Sequence, residues 1–258
     1  MKKYMLDLIV SDNQSLHNNY SLLKLTSKAP LSDMLPGQFA EVLVDNSPGT
    51  FLRRPISIHF FDKANNELWL LVQKVGEGTR NICEKQKGET LNLVFPLGNT
   101  FTIPEKNDFK PLLIGGGVGV APLLFLGAEM YKKGIQVDFL LGARCGEDLL
   151  QLNEFAKYGA VYTTTEDCSH GEKGFVIHHS ILQTKQYDQI YTCGPTPMMK
   201  AVANYAVQKN IPCEVSLENT MACGIGACLC CVTKTKEGHK CVCTDGPIFN
   251  VLELEDFV

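Results

Sequence analysis

The chain has 258 residues, 45% apolar and 20% charged, a globular composition long enough for two core-bearing domains. A formal charge of −4 with no run of Lys or Arg argues against a nucleic-acid or anionic-membrane surface. The opening MKKYMLDLIVSDNQ reads as no export signal because Asp7 interrupts a short apolar run. The eleven cysteines are therefore expected to be reduced, in a cytoplasmic protein, and not paired in a disulfide framework.

From 1 to about 100 the pattern is one of short β-type runs: MLDLIV, YSLLKLT, QFAEVLV, PISIHFF, ELWLLVQKV and ETLNLVFP. Pieces read as turns, SDNQS, VDNSPG and DKANN, separate them. Six short strands without a long helical pattern predict a small antiparallel barrel. Within it, FLRRPISIHF puts two arginines beside Pro55 on an otherwise apolar strand. A guanidinium fork suits a phosphate, and Ser57 lies on the same strand face as Pro55. QKVGEGTRNICEK runs from a strand through Gly76 and Gly78 into a short helix expected near Thr79, an anion-ready helix start. The plainer readings are a solvated arginine pair and an ordinary G-x-G turn.

From about 108 the period changes to alternating strand and helix. KPLLIGG, IQVDFLLGAR, GAVYTTTED and YDQIYTCG read as strands. VAPLLFLGAEMYKKG, VIHHSILQ and TPMMKAVANYAVQKN read as helices. This order predicts a parallel sheet with right-handed crossovers. Pro111–Ala128 is eighteen residues without a charge, the lower limit for a membrane span. Five glycines and Pro122 within it favour a buried strand, a tight turn and a helix start.

That turn, with Gly115, Gly116, Gly117 and Gly119, offers N–H groups and a helix dipole to a pyrophosphate. The G-x-G-x-x-G pattern is not cleanly met, and glycines needed only for strand–helix packing are the alternative. YTCGPTPMM repeats the design, turning on Gly194 and Pro195, so two turns at the carboxyl edge of one sheet predict a dinucleotide site. Cys193 either approaches a nicotinamide ring or is an inert buried thiol.

After about 212 apolar periodicity fades and cysteines cluster: six of the eleven fall between Cys223 and Cys243. Cys223-x4-Cys228-x2-Cys231-x11-Cys243 is the plant-type spacing for a [2Fe–2S] cluster. Gly224 and Gly226 let the loop turn tightly and aim N–H groups at the sulfurs. Zinc is the competitor, since it also takes four thiolates, but only one short C-x2-C pair is clear. Cys230 and Cys241 are left over as small apolar residues or substitute ligands. The modules are thus 1–102, a barrel; 103–211, an α/β domain; and 212–258, a metal-binding lobe.

Together R-P-I-S, G-E-G-T, G-G-G-V-G-V-A-P and C-G-P-T-P-M-M resemble the ferredoxin–NADP reductase superfamily. The tail EVSLENTMACGIGACLCCV narrows the resemblance to the electron-transfer subunits of NAD-dependent, class B dihydroorotate dehydrogenases, across essentially the whole chain. The resemblance implies an FAD-binding barrel in which Arg54, Pro55, Ile56 and Ser57 hold the flavin, Arg54 at the pyrophosphate and Ser57 near the isoalloxazine. It implies that Leu71, Val72 and Gln73 form a second FAD-contacting strand and that Gly78 and Thr79 form the phosphate turn. The cluster ligands would be Cys223, Cys228, Cys231 and Cys243, and the α/β domain would bind NAD. An aromatic residue often precedes the serine in the wider superfamily; here it is Ile56, which alters the packing on the ring.

A flavin exchanges electrons singly or as hydride, so FAD would stand between the cluster and NAD+. No second flavin barrel and no base for pyrimidine chemistry is apparent, so the resemblance places dihydroorotate oxidation on a separate FMN-containing subunit, in a heterotetramer with two copies of each. No residue of this chain is expected to act in acid–base catalysis. NAD over NADP rests on the resemblance, since no acidic residue stands clearly placed for a ribose 2′-hydroxyl. The alternatives are a relay subunit of another NAD(P)-linked oxidoreductase, such as a sulfide dehydrogenase or ferredoxin–NADP reductase, and a zinc-bearing interaction protein.

Overall fold

A computed structural model describes residues 2–257 apart from 18, 46, 48, 106 and 107. The chain divides into two compact units: Met1–Thr100 with Glu218–Thr233 and Lys240–Pro247, and Phe101–Leu217 with Lys234–His239 and Ile248–Val258. The cysteine-rich stretch is shared between these units, having too few apolar residues for a core of its own.

In the first unit six strands close an antiparallel barrel. They are β1 (Tyr4–His17), β2 (Tyr20–Thr26), β3 (Phe39–Val42), β4 (Arg54–Asp62), β5 (Glu67–Gln73) and β6 (Thr90–Leu97), in the order β1-β2-β5-β4-β3-β6. Alternate residues point inward, so Leu8, Val10, Leu23, Leu25, Leu68, Leu70, Leu93 and Phe95 have essentially no exposed surface. A helix, α1 (Glu77–Glu84), follows β5 and buries Ile82 and Cys83. It begins two residues before the expected start, with Gly76 as its N-cap.

SDNQS is strand and not turn. β1 continues through it, pairing first with β6 (Tyr4↔Phe95 to Ile9↔Thr90) and then with β2 (Ile9↔Thr26 to His17↔Tyr20), with a register shift between Val10 and Asp12. Its polar side chains find partners there. The Ser11 hydroxyl donates to Glu67 Oε1 (2.8 Å) and lies 3.1 Å from Lys24 O. Asn13 Nδ2 donates to Cys83 O (2.8 Å) and Lys85 O (2.7 Å), satisfying carbonyls at the end of α1. DKANN does turn, with Asp62 Oδ1 accepting the N–H groups of Ala64 and Asn65. The expected turn VDNSPG includes Asn46 and Pro48, outside the described residues.

The second unit is built on β7 (Pro111–Gly116), a 3-10 turn (Gly117–Val120), α2 (Ala121–Lys132), β8 (Val137–Ala143), α3 (Leu152–Phe155) and β9 (Gly159–Thr165). It continues with β10 (Glu172–Lys173), α4 (Ile181–Thr184), β11 (Gln189–Cys193), α5 (Thr196–Gln208) and β12 (Cys213–Ser216). A hairpin, β13 (Val232–Thr235) with β14 (Gly238–Cys241), and a last strand, β15 (Ile248–Asn250), follow. The sheet order is β10-β9-β8-β7-β11-β12-β15, parallel except for β15 against β12.

The uncharged stretch from Pro111 to Ala128 forms β7, the turn and the first part of α2, and no described helix is long and apolar enough to cross a membrane. All of β7 is buried, as are nine residues of α2. Burying Leu123, Leu124, Phe125 and Leu126 stabilises the unit by about 1.5–3 kcal/mol each. Gly127 lets α2 approach β8, since a β-carbon there would lie 2.3 Å from the Phe139 ring.

The expected helix VIHHSILQ is broken into a 3-10 turn (Val176–His178) and α4. His179 is extended between them, its Nδ1 accepting the Ile181 N–H (3.0 Å). The Glu172 carboxylate accepts both the N–H (2.9 Å) and the hydroxyl of Ser180. These local bonds compete with the helix ladder.

Candidate cofactor sites

In the barrel unit the two adjacent arginines have different surroundings. Arg53 is structural: its guanidinium donates to Glu41 O (3.3 Å), Asn92 O (3.1 Å) and Asn92 Oδ1 (2.6 Å), fastening β4 to β3 and β6. Arg54 donates to Leu52 O (2.8 Å) and lies over the start of α1, where a β-carbon on Gly78 would come within 2.9 Å of its Nε. Thr79 Oγ1 accepts the N–H groups of Val75 (2.9 Å) and Gly76 (3.2 Å), fixing the same turn. R-P-I-S and G-E-G-T, eighteen or more residues apart in the chain, thus form one cationic corner suited to a phosphate.

Arg54, Pro55, Ile56 and Ser57 pair with β3 (Val42↔Arg54 to Phe39↔Ser57), while the rungs between β4 and β5 stop at Ile58↔Leu70. Beyond that rung Leu71, Val72 and Gln73 pair with Leu22, Ser21 and Tyr20 of β2. The two segments singled out from the sequence therefore run side by side past the end of their common ladder. Pro55, lacking an N–H, is tolerated where one strand edge carries no ladder. Arg54–Ser57 are all half-buried, whereas Ile58 and His59 are buried.

In the sheet unit β7 and β11 are parallel neighbours, with Gly115 opposite Cys193, and the strand order reverses between them. This is the switch point at which open α/β sheets bind ligands. The two turns touch. A β-carbon on Gly119 would lie 2.3 Å from Gly194 Cα, and one on Gly194 would lie 3.1 Å from Gly116 N. Gly117 adopts φ +54° and Gly194 φ +152°, which side chains disfavour. Gly115 and Gly116 lie at the strand end, and Pro195 caps α5. Cys193 has no exposed surface.

In the cysteine loop, backbone N–H groups converge on sulfur. Cys223 Sγ accepts from Ile225 (3.5 Å) and Cys228 (3.4 Å), and Cys228 Sγ from Cys230 (3.5 Å). Cys231 Sγ accepts from Cys243 (3.4 Å) and Cys243 Sγ from Gly226 (3.2 Å). Gly224 (φ +66°) and Gly226 (φ +81°) provide the left-handed turns. Among the described residues neither Cys230 nor Cys241 receives such a bond on sulfur. The N–H of Ile225, with that of Cys228, lowers the Cys223 thiol to about 6, while burial and the neighbouring Cys231 push Cys243 up to about 12. Bound iron would offset the latter cost, because it takes the thiolate.

This donor set fits a two-iron cluster, whose ligands come as two pairs. Among the described residues no three Cys, His, Asp or Glu side chains are arranged for a single metal ion.

Sequence reasoning missed Glu41. It is 1% exposed, and neither carboxylate oxygen has a hydrogen-bond partner among the described residues. The loop rests on it: a β-carbon on Gly224 would lie 2.8 Å from Glu41 Cγ. Burial raises its carboxyl to about 7 against the pull of Arg53. The signal was a lone acid in the apolar run QFAEVLV, on a strand whose four residues are all buried.

Comparison with known proteins places this architecture. A structure described as an NADH-dependent reduced ferredoxin–NADP oxidoreductase, studied for flavin-based electron bifurcation, superposes with TM-score 0.86 and 27% identity, over 96% of this chain and 89% of that one. The cytochrome b5 reductase domain of Ulva prolifera nitrate reductase shares the fold at TM-score 0.68 and 15% identity, over 81% and 94%. The protein is thus a ferredoxin–NADP reductase-like oxidoreductase in fold.

Residues 113–204 match the oxidoreductase NAD-binding domain, and 218–255 match the iron–sulfur cluster binding domain of dihydroorotate dehydrogenase B. The electron transfer subunit of dihydroorotate dehydrogenase B (NAD(+)) from Geobacillus sp. is 40% identical over 223 residues, 85% of this chain and 86% of its own. That from Shouchella clausii is 36% identical over 252 residues, 95% and 96%. The chain belongs to the family of dihydroorotate dehydrogenase B electron transfer subunits.

Proposed function

We propose that this chain is the relay arm of an NAD-dependent dihydroorotate dehydrogenase in pyrimidine biosynthesis. Its [2Fe–2S] cluster and FAD carry electrons from an FMN-containing catalytic subunit, where dihydroorotate is oxidised, to NAD+. Arg54–Ser57, Leu71–Gln73, Gly78 and Thr79 hold the FAD. Gly115–Gly117, Gly119 and Cys193–Pro195 form the NAD turns, and Cys223, Cys228, Cys231 and Cys243 ligate the cluster. The domains are 1–102 for FAD, 103–211 for NAD and 212–258 for the cluster. The assembly is a cytoplasmic heterotetramer with two copies of each subunit.

The observation that carries this reading is the cysteine loop, where each of the four spaced sulfurs accepts a backbone N–H. Such donors stabilise bound thiolate and position it without a side-chain base. The test is dihydroorotate-dependent reduction of NAD+ by the anaerobically purified chain with its co-purifying subunit. NADH should form, and cease to form when that subunit is stripped away. A coloured sample that bleaches with NADH but makes none from dihydroorotate would instead indicate a relay for another electron source, such as sulfide or ferredoxin.

A further inference from the structure

The loop before β4 carries an aromatic ring that no described residue covers: Phe51 is 91% exposed. Its backbone is nonetheless fastened. Ser47 Oγ donates to Glu77 Oε1 (2.6 Å) and lies 2.8 Å from Thr50 Oγ1, and Thr50 N donates to Ser47 O (2.9 Å). Thr50 also packs on the start of α1, where a β-carbon on Gly78 would lie 3.1 Å from its Cγ2. On the other side Arg54 donates to Leu52 O. A bare phenyl ring is thus held within three residues of the cationic corner made by Arg54 and Gly78.

Direction along the chain supplies the rest. Ser57, the flavin-ring end on the proposed FAD reading, lies three residues after Arg54, about 10 Å along a strand. Phe51 lies three residues before it. A dinucleotide with its pyrophosphate at Arg54 has its isoalloxazine towards Ser57 and its adenine leaving on the opposite side. We propose that Phe51 is the adenine-stacking residue of the FAD site, closing on the ring face when the dinucleotide binds. This rests on the reading of the barrel as an FAD site. The physical driver is stacking of one π-face on another together with removal of apolar surface from water.

The test separates adenine from flavin. The full chain is stripped of flavin and titrated with FAD and with FMN, which lacks the adenosine half, following flavin fluorescence. F51A should weaken FAD roughly tenfold and leave FMN unchanged, while F51Y retains wild-type FAD affinity. In F51W the new indole emission should be quenched on addition of FAD and not of FMN. Unchanged FAD affinity in F51A, or equal losses for FAD and FMN, overturns the proposal, as does weakened binding of the catalytic subunit with FAD affinity intact. A wild-type chain that takes up neither flavin overturns the FAD reading itself.

Discussion

Four sulfurs in the cysteine loop receive backbone N–H groups, and among the described residues the two left over receive none. Serine at Cys223, Cys228, Cys231 or Cys243 removes a thiolate from the set, and each such variant should lose the iron–sulfur absorption of the purified chain. C230S and C241S should keep it, and a C230S that has lost the iron–sulfur absorption would reassign the ligands. Gly119 gives a second test at this scale. With Gly194 Cα 2.3 Å from the place its β-carbon would occupy, the backbone must move to admit a methyl. G119A should cost about 1–3 kcal/mol of stability and weaken NAD binding, read by melting temperature and NAD titration. Wild-type NAD affinity in that variant would mean that the contact between the two turns is irrelevant to the site.

At the scale of elements, the break around His179 makes a pH prediction. Burial lowers its pKa below the ordinary histidine value, opposed by Glu172, and its Nδ1 is occupied as an acceptor from Ile181. As pH falls through about 6.5 the unfolded chain takes up a proton that the folded chain refuses, so stability is lost on the acid side. H179N keeps an acceptor near Nδ1 and cannot charge. Its stability relative to wild type should therefore rise as pH falls, measured by denaturant unfolding; a pH-independent difference would show that His179 does not titrate on unfolding.

The same segment marks where sequence reading stops. VIHHSILQ has helical periodicity, but the His179 ring and the Glu172 carboxylate accept neighbouring backbone N–H groups and break it, and those partners are invisible to periodicity. SDNQS reads as turn by composition, yet Ser11 and Asn13 are satisfied by residues up to 72 positions away. By contrast YSLLKLT is strand over all seven residues, and its short apolar run is buried between its neighbours in the barrel. β15 lies in a region with too little periodicity to reveal it, and finds its place only by pairing with β12.

For the molecule as a whole, the candidate cofactor residues were legible in the sequence as candidates because each sits in a compact local motif. R-P-I-S, G-E-G-T, the two glycine turns and the cysteine spacing are all short. What was not legible is what joins them. Arg54 over Gly78, Gly119 against Gly194, and Gly224 on the buried Glu41 are contacts between segments distant in sequence. The chain carries electrons between a pyridine nucleotide and an iron–sulfur cluster.

The most direct test is anaerobic addition of NADH to the isolated chain, followed by visible absorption and electron paramagnetic resonance. Such an electron path predicts flavin bleaching and the paramagnetic signal of a one-electron-reduced [2Fe–2S] cluster, with C231S retaining the bleaching and losing the signal. Bleaching in the wild type with no cluster signal, or no bleaching at all, would contradict it.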